Sequence, residues 1–145
     1  MPQTLATPTG HVMVLHQGED AFAALKDFAA REHLPGATFT GLGFAGRAVF
    51  GFFDFEKREY EPRAFTNLEM GSLTGSIAWE AGAPSIHMHG TGAGPDFAAV
   101  AGHLLELVVG TGSIELALTA TTARLTRRFD ESLGAKVLEL PGRLA

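Results

Sequence analysis

Apolar and polar residues change their period along this chain, and each change marks an element. His11-Val-Met-Val-Leu-His16 is a short apolar run with histidines at its ends, and it reads as a buried strand. Gln17 to Asp20 gives a turn, with Asp20 placed to cap a helix. Phe22, Leu25, Phe28 and Ala29 then recur at helical spacing and leave Lys26, Asp27 and Arg31 outward. Leu34-Pro-Gly36 stops the helix, because proline cannot continue its hydrogen bonds. From Ala37 the pattern is that of strands: Ala37–Phe44, Arg47–Phe55, Tyr60–Phe65 with Pro62 marking an edge, and Leu68–Trp79. Glu56–Glu59 is a charged hairpin tip, and Glu80–Pro84 is a second turn. Gly90–Pro95 reads as a glycine-rich loop. His103–Val109 and Ser113–Ala120 read as paired strands around Gly110-Thr-Gly112, followed by Ala123–Phe129 and Val137–Leu140. Residues 1–10 look like a loose lead-in, with two prolines and three threonines, before a single domain over 11–145. The predicted fold is α/β in the α+β sense: a mainly antiparallel mixed sheet with one principal helix after the first strand.

Composition narrows the function classes. The 145 residues suffice for one independent core, and 46% hydrophobic against 19% charged residues excludes a disordered tail or coiled coil. No cysteine is present, so disulfides and thiolate metal sites are excluded. No apolar run is long enough for a membrane span, and the N-terminus lacks the basic start and apolar stretch of a secretory signal, so a cytoplasmic location is expected. The net charge of −5 argues against a general phosphate-binding surface. A local basic surface remains open at Arg124, Arg127 and Arg128.

The sharpest chemistry lies in Ser85-Ile-His-Met-His-Gly90 and Gly102-His-Leu104. A strand places residues i and i+2 on one face, so His87 and His89 stand side by side. Two adjacent imidazoles can chelate one ion, and His103 would complete a three-histidine set with one coordination position open. The alternative is a hydrogen-bonded surface or interface pair. Glu69, inside an apolar run, and Glu115 are candidates for a general base or for an outer-shell partner of a ligating histidine; the alternative is a solvated or arginine-paired carboxylate. His11, His16 and His33 have no partner at ligand spacing. Phe50, Phe52, Phe53 and Phe55 read as core or subunit-interface residues, since no basic residues interleave with them. No nucleophile elbow surrounds any serine. A cupin strand also carries His-x-His, but Gly90 to Gly94 lack the glutamate that such a strand would need.

Three segments in order carry a family resemblance: Leu68-Glu-Met-Gly-Ser-Leu-Thr-Gly-Ser76, Pro84-Ser-Ile-His-Met-His89, and Gly102-His-Leu104 followed by a strand with Glu115. Gly18-Glu-Asp20 before the helix and Arg128-Phe-Asp130 near the end fit the same order. Together they resemble the plant-and-prokaryote-conserved domain, found in AT-hook nuclear proteins of plants and as a stand-alone protein in bacteria and archaea. The likeness runs over roughly residues 11 to 140 and departs at Leu68 and Ala101. It implies a homotrimer, and it implies that His87, His89 and His103 form a metal-compatible cluster with zinc as the ion. The plant members' DNA contact is associated with an Arg-Gly-Arg-Pro type segment, which this chain lacks. Three readings follow: a trimeric binding or regulatory module holding a metal or small ligand, a metal-dependent hydrolase or lyase using Glu69 or Glu115, and a DNA-binding regulator.

Overall fold

A computed structural model describes residues 1–142 as eight strands and one helix. Strand β1 spans Gln3–Thr7 and β2 spans Gly10–His16; helix α1 spans Ala21–Arg31. Strands β3 (Ala37–Asp54), β4 (Glu59–Glu80), β5 (Ala83–Ala93) and β6 (Ala99–Ala120) form the body. Strands β7 (Thr126–Asp130) and β8 (Ala135–Glu139) form a final hairpin. Both β4 and β6 pair antiparallel with β3 and with β5, so these four strands close on themselves. The sheet is mixed through one parallel bridge, Trp79 of β4 to Thr126 of β7.

The helix follows the second strand, not the first. Gln3–Thr7, expected as a loose lead-in, pairs along its length with β2. Its side chains are mostly exposed, so backbone hydrogen bonds hold it, and no apolar alternation announces it. Helix α1 begins as its sequence dictates: the Asp20 carboxylate accepts the Ala23 N–H at 3.0 Å. Ala21, Leu25, Phe28 and Ala29 are its buried face. Its end is closed by the Leu34 N–H donating to the Ala29 carbonyl, with His33 in the left-handed region at φ 51°.

Strands expected as separate pieces are continuous. Ala37–Phe44 and Arg47–Phe55 are one strand, and so are Tyr60–Phe65 and Leu68–Trp79. His103–Val109 and Ser113–Ala120 are both parts of β6. Gly46 lies between the two pieces of β3, Gly110-Thr-Gly112 between those of β6, and Thr66-Asn67, with Asn67 at φ 54°, between those of β4, and none of them ends its strand. Register shifts fall at Gly41/Gly43 and Gly43/Ala45 of β3 and at Met70/Ser72 of β4, as bulges do. Gly90–Ala93, expected as loop, lies within β5 and pairs with β6. Glu80 and Ala83 are joined by Ala81 and Gly82, at φ 48° and 85°, the positive pair of a two-residue I′ hairpin.

The core lies where the closed strands and α1 meet: Leu73, Ile77, Met88, Leu104 and Leu107 from the strands, Leu25 and Phe28 from the helix. Each fully buried side chain of this size contributes about 1.5–3 kcal/mol. Met88 is fully buried while His87 and His89 are exposed, so the alternation of β5 turns the imidazoles away from the core. Among the described residues no helix is long and apolar enough to cross a membrane.

Candidate metal centre

Two strand pairings build one cluster. On β5, His87 and His89 share a face. On β6, His103 lies directly across from His89 in the β5–β6 ladder. The ring centroids are 5.0 Å apart for His87–His89, 5.1 Å for His87–His103 and 5.3 Å for His89–His103. One nitrogen from each ring falls within 4.8 Å of the other two. The closest pair, His87 Nε2 and His89 Nε2, is 3.2 Å apart.

That spacing has two chemical meanings. Either one ring donates a hydrogen bond to the other, or both lone pairs converge on a cation. Tetrahedral zinc with bonds of 2.0–2.1 Å separates its nitrogen ligands by about 3.3–3.4 Å. The observed 3.2 Å is therefore near a ligand–ligand edge, and the nitrogen that His103 offers lies within 4.8 Å of both. The protonation state suits a metal. Burial first, then His87, His89 and Arg127, push the His103 imidazole down to about 4. Burial, Arg127 and His89 lower His87 as well. Imidazole ligates only when neutral. Nδ1 of His103 is also buried without a hydrogen-bond partner, which leaves that ring under-satisfied in the protein alone.

Tyr60, Ser76 and Arg127 lie around the cluster. Tyr60 stacks on His103 with centroids 4.5 Å apart and planes 15° from parallel. Ser76 is the β4 partner of His87, and its Oγ accepts a hydrogen bond from Arg127 Nη2 at 2.6 Å. Arg127 is only 8% exposed, and its Nε has no acceptor among the described residues. Sequence reasoning missed Tyr60 and Ser76. The I′ turn at Ala81-Gly82 sets Ser76 opposite His87, so that turn was the available signal for Ser76. No sequence signal pointed to Tyr60.

A cavity of about 560 Å³ opens beside His87 and His103, walled by Tyr60, Phe53, Arg127 and Phe129 among others. A second concavity, on the His89 side, shares Tyr60 and His103 and is bounded by Phe50, Phe52 and Phe55. The phenylalanine run thus divides: Phe50 is buried, while Phe52 is 75% exposed.

The carboxylates expected near the histidines are elsewhere. Glu69 is exposed and pairs with Ala93, four residues along β5 from His89, or about 13 Å at strand rise. Glu115 is exposed and sits between Val14 and Leu42. Neither belongs to the metal-compatible group among the described residues. The three arginines expected to make a basic surface are placed differently, with Arg124 and Arg128 exposed. Arg124 stacks over Trp79 at 4.1 Å, Arg127 is buried, and Arg128 is paired with Glu139 and Asp130.

Several known proteins share this architecture. A candidate DNA-binding protein from Ralstonia eutropha JMP134 is 46% identical, with 95% of this chain and 96% of that one covered and a TM-score of 0.92. A candidate DNA-binding protein from Bacteroides thetaiotaomicron is 21% identical over 96% and 97% of the two chains, with a TM-score of 0.89. A metal-containing protein from Archaeoglobus fulgidus is 24% identical over 97% and 99%, with a TM-score of 0.81. The last two likenesses concern the fold alone. No curated protein matches the sequence. The profile of the Plants and Prokaryotes Conserved (PCC) domain matches residues 3–121.

Proposed function

Because this chain belongs to the Plants and Prokaryotes Conserved (PCC) domain family, we propose that it is a binding module whose centre is a metal ion held by His87, His89 and His103. The observation that carries this is the convergence of three imidazole nitrogens within 4.8 Å, two of them at 3.2 Å. Three neutral nitrogen donors with no carboxylate or thiolate suit zinc, and they leave a fourth position for water or a ligand. The test is elemental analysis of protein purified without a nickel column. About one zinc per chain supports the reading; no metal above background after incubation with excess zinc and desalting overturns it.

The module is a homotrimer in this proposal. Support comes from the family resemblance and from apolar side chains left in water, with Leu42, Phe52, Phe55 and Leu105 all exposed. Light scattering should give a mass near three times the 15.3 kDa of one chain; a monomer mass would overturn this part.

An enzymatic use of the metal needs a proton-handling group at the open position, and the placement of Glu69 and Glu115 does not supply one. A second reading, DNA binding, draws on the 46% identical Ralstonia relative. The net charge of −5 and the separated arginines count against it. Retardation of duplex DNA that weakens with salt would support that reading, and no retardation at low salt would end it.

A further inference from the structure

Arg127 poses a problem that the metal centre does not solve. Its guanidinium enters the wall of the 560 Å³ cavity at 8% exposure. Its one hydrogen bond among the described residues goes from Nη2 to the neutral hydroxyl of Ser76, and Nε finds no acceptor. A buried guanidinium has five N–H donors in a planar fork, and an unpaired buried charge is costly to keep. Glu80 on the same wall acts on Arg127 through its charge, but that carboxylate is bound to Lys136 at 2.9 Å and makes no hydrogen bond to the guanidinium among the described residues.

We infer that the cavity takes a small monocarboxylate with an apolar tail, its carboxylate held by Arg127 beside the histidine cluster. The charge class follows from the wall. Arg127 is the buried cation, and Lys26, Arg58 and Lys136 also line the space against Glu59 and Glu80, so the wall is net positive and takes an anion. The tail, which inorganic phosphate lacks, follows from Phe53, Pro84, Ile86 and Phe129, the apolar part of the wall. The volume is in the range that binds small organic ligands. A planar carboxylate matches the guanidinium fork, which a point charge does not. The inference deepens the proposed metal module and rests on it only for the second contact, where a ligand oxygen meets the open coordination position.

Benzoate is the probe, with benzamide as its neutral counterpart and inorganic phosphate as the dianion. Binding is followed by amide chemical shifts in zinc-loaded and in metal-free protein, with zinc content measured separately. Saturable benzoate binding is expected, with benzamide and phosphate at least about tenfold weaker. In proteins loaded to the same zinc content, Arg127→Gln should weaken benzoate at least about tenfold, and Arg127→Lys should recover only part of the loss. Should Arg127→Gln fail to fold, Phe129→Ser, at an exposed wall position, should still weaken benzoate without changing zinc. Benzamide binding as well as benzoate, or equal benzoate affinity in Arg127→Gln, overturns the inference and leaves the metal reading standing. Arg127-dependent benzoate binding to a protein that takes up no zinc supports the carboxylate site and overturns the metal reading instead.

Discussion

His89 and His103 stand directly opposite one another across the β5–β6 ladder, with ring centroids 5.3 Å apart, although thirteen residues separate them in the chain. Cross-strand partners on one face are the closest side-chain neighbours a sheet provides. Loss of either ring should therefore remove a ligand, not merely loosen the site. His89→Ala and His103→Ala are each expected to reduce zinc affinity by more than the 10–100-fold typical of outer-shell changes. His16→Ala, an exposed strand-end histidine outside the cluster, should leave it unchanged. Competition titration against a zinc-sensitive dye measures all three.

Tyr60 is the ring that fixes His103 from behind. The two planes are 15° from parallel, so contact is through the faces and does not need the phenol oxygen. Tyr60→Phe should keep full zinc affinity, and Tyr60→Ser should lose on the order of 10–100-fold, as an outer-shell support would. Equal affinities for wild type and Tyr60→Ser would show that the stack positions nothing.

The pH dependence follows from the depressed imidazoles. An ordinary histidine titrates at 6.5, and His103 in the folded chain is held at about 4, chiefly by burial. Between those values the unfolded chain binds a proton there and the folded chain does not. Stability contributed by the neutral ring is thus complete above about 6.5, falls as the pH drops, and levels off below about 4. His87 shifts in the same direction. Thermal melts of metal-free protein should decline across this window, and His103→Asn should flatten the decline. Zinc added to the wild type should still be retained at pH 5.5 after dialysis, where an unshifted histidine cluster would be mostly protonated.

The periodicity of the chain revealed the faces of its strands better than their lengths. Alternation correctly put His87 and His89 together, with Met88 behind them. Gly43 was legible as a bend within a strand, but glycine misled where it was taken to end one, as at Gly46 and in Gly110-Thr-Gly112. Reading Gly90–Ala93 as a loop hid the ladder that sets His103 against His89, since Gly90 and Gly92 pack against Leu73, Leu104 and Met70 with no side chain of their own to show it. Arg127 was legible only as one of three arginines. Its burial depends on β7 lying against β4 at Trp79, a pairing with no local signature.

The hairpin that sets the register of the histidine strand carries a correctable strain. Ala81 sits at φ 48°, a region that costs a residue with a Cβ roughly 1–2 kcal/mol, and Gly82 follows at φ 85°. Asn-Gly is the favoured pair for this turn. Ala81→Asn should stabilise the protein by about 0.5–1 kcal/mol, and zinc affinity should not move, because the turn already holds the register. Urea unfolding with an unchanged slope is the check; an unchanged or lower midpoint would show that the turn is not under strain.

Gly75 and Gly71 lie on the same strand and separate packing from conformation. A Cβ at Gly75 would stand 2.2 Å from the His87 carbonyl oxygen and 2.4 Å from the Phe39 ring. The first contact is backbone and cannot rotate away, so β5 would have to move off β4 at His87, one of the proposed ligands. Overpacking of this kind costs about 1–3 kcal/mol, and Gly75→Ala should lower both stability and zinc affinity. A Cβ at Gly71 meets nothing within 4 Å, and its φ lies outside the left-handed region. Gly71→Ala should thus be neutral or stabilising by up to about 1 kcal/mol through the unfolded chain, with zinc affinity intact. Parallel urea melts and zinc titrations of the two variants make the comparison. If Gly75→Ala binds zinc as tightly as Gly71→Ala, the close approach of β4 and β5 at His87 does not govern where that imidazole points.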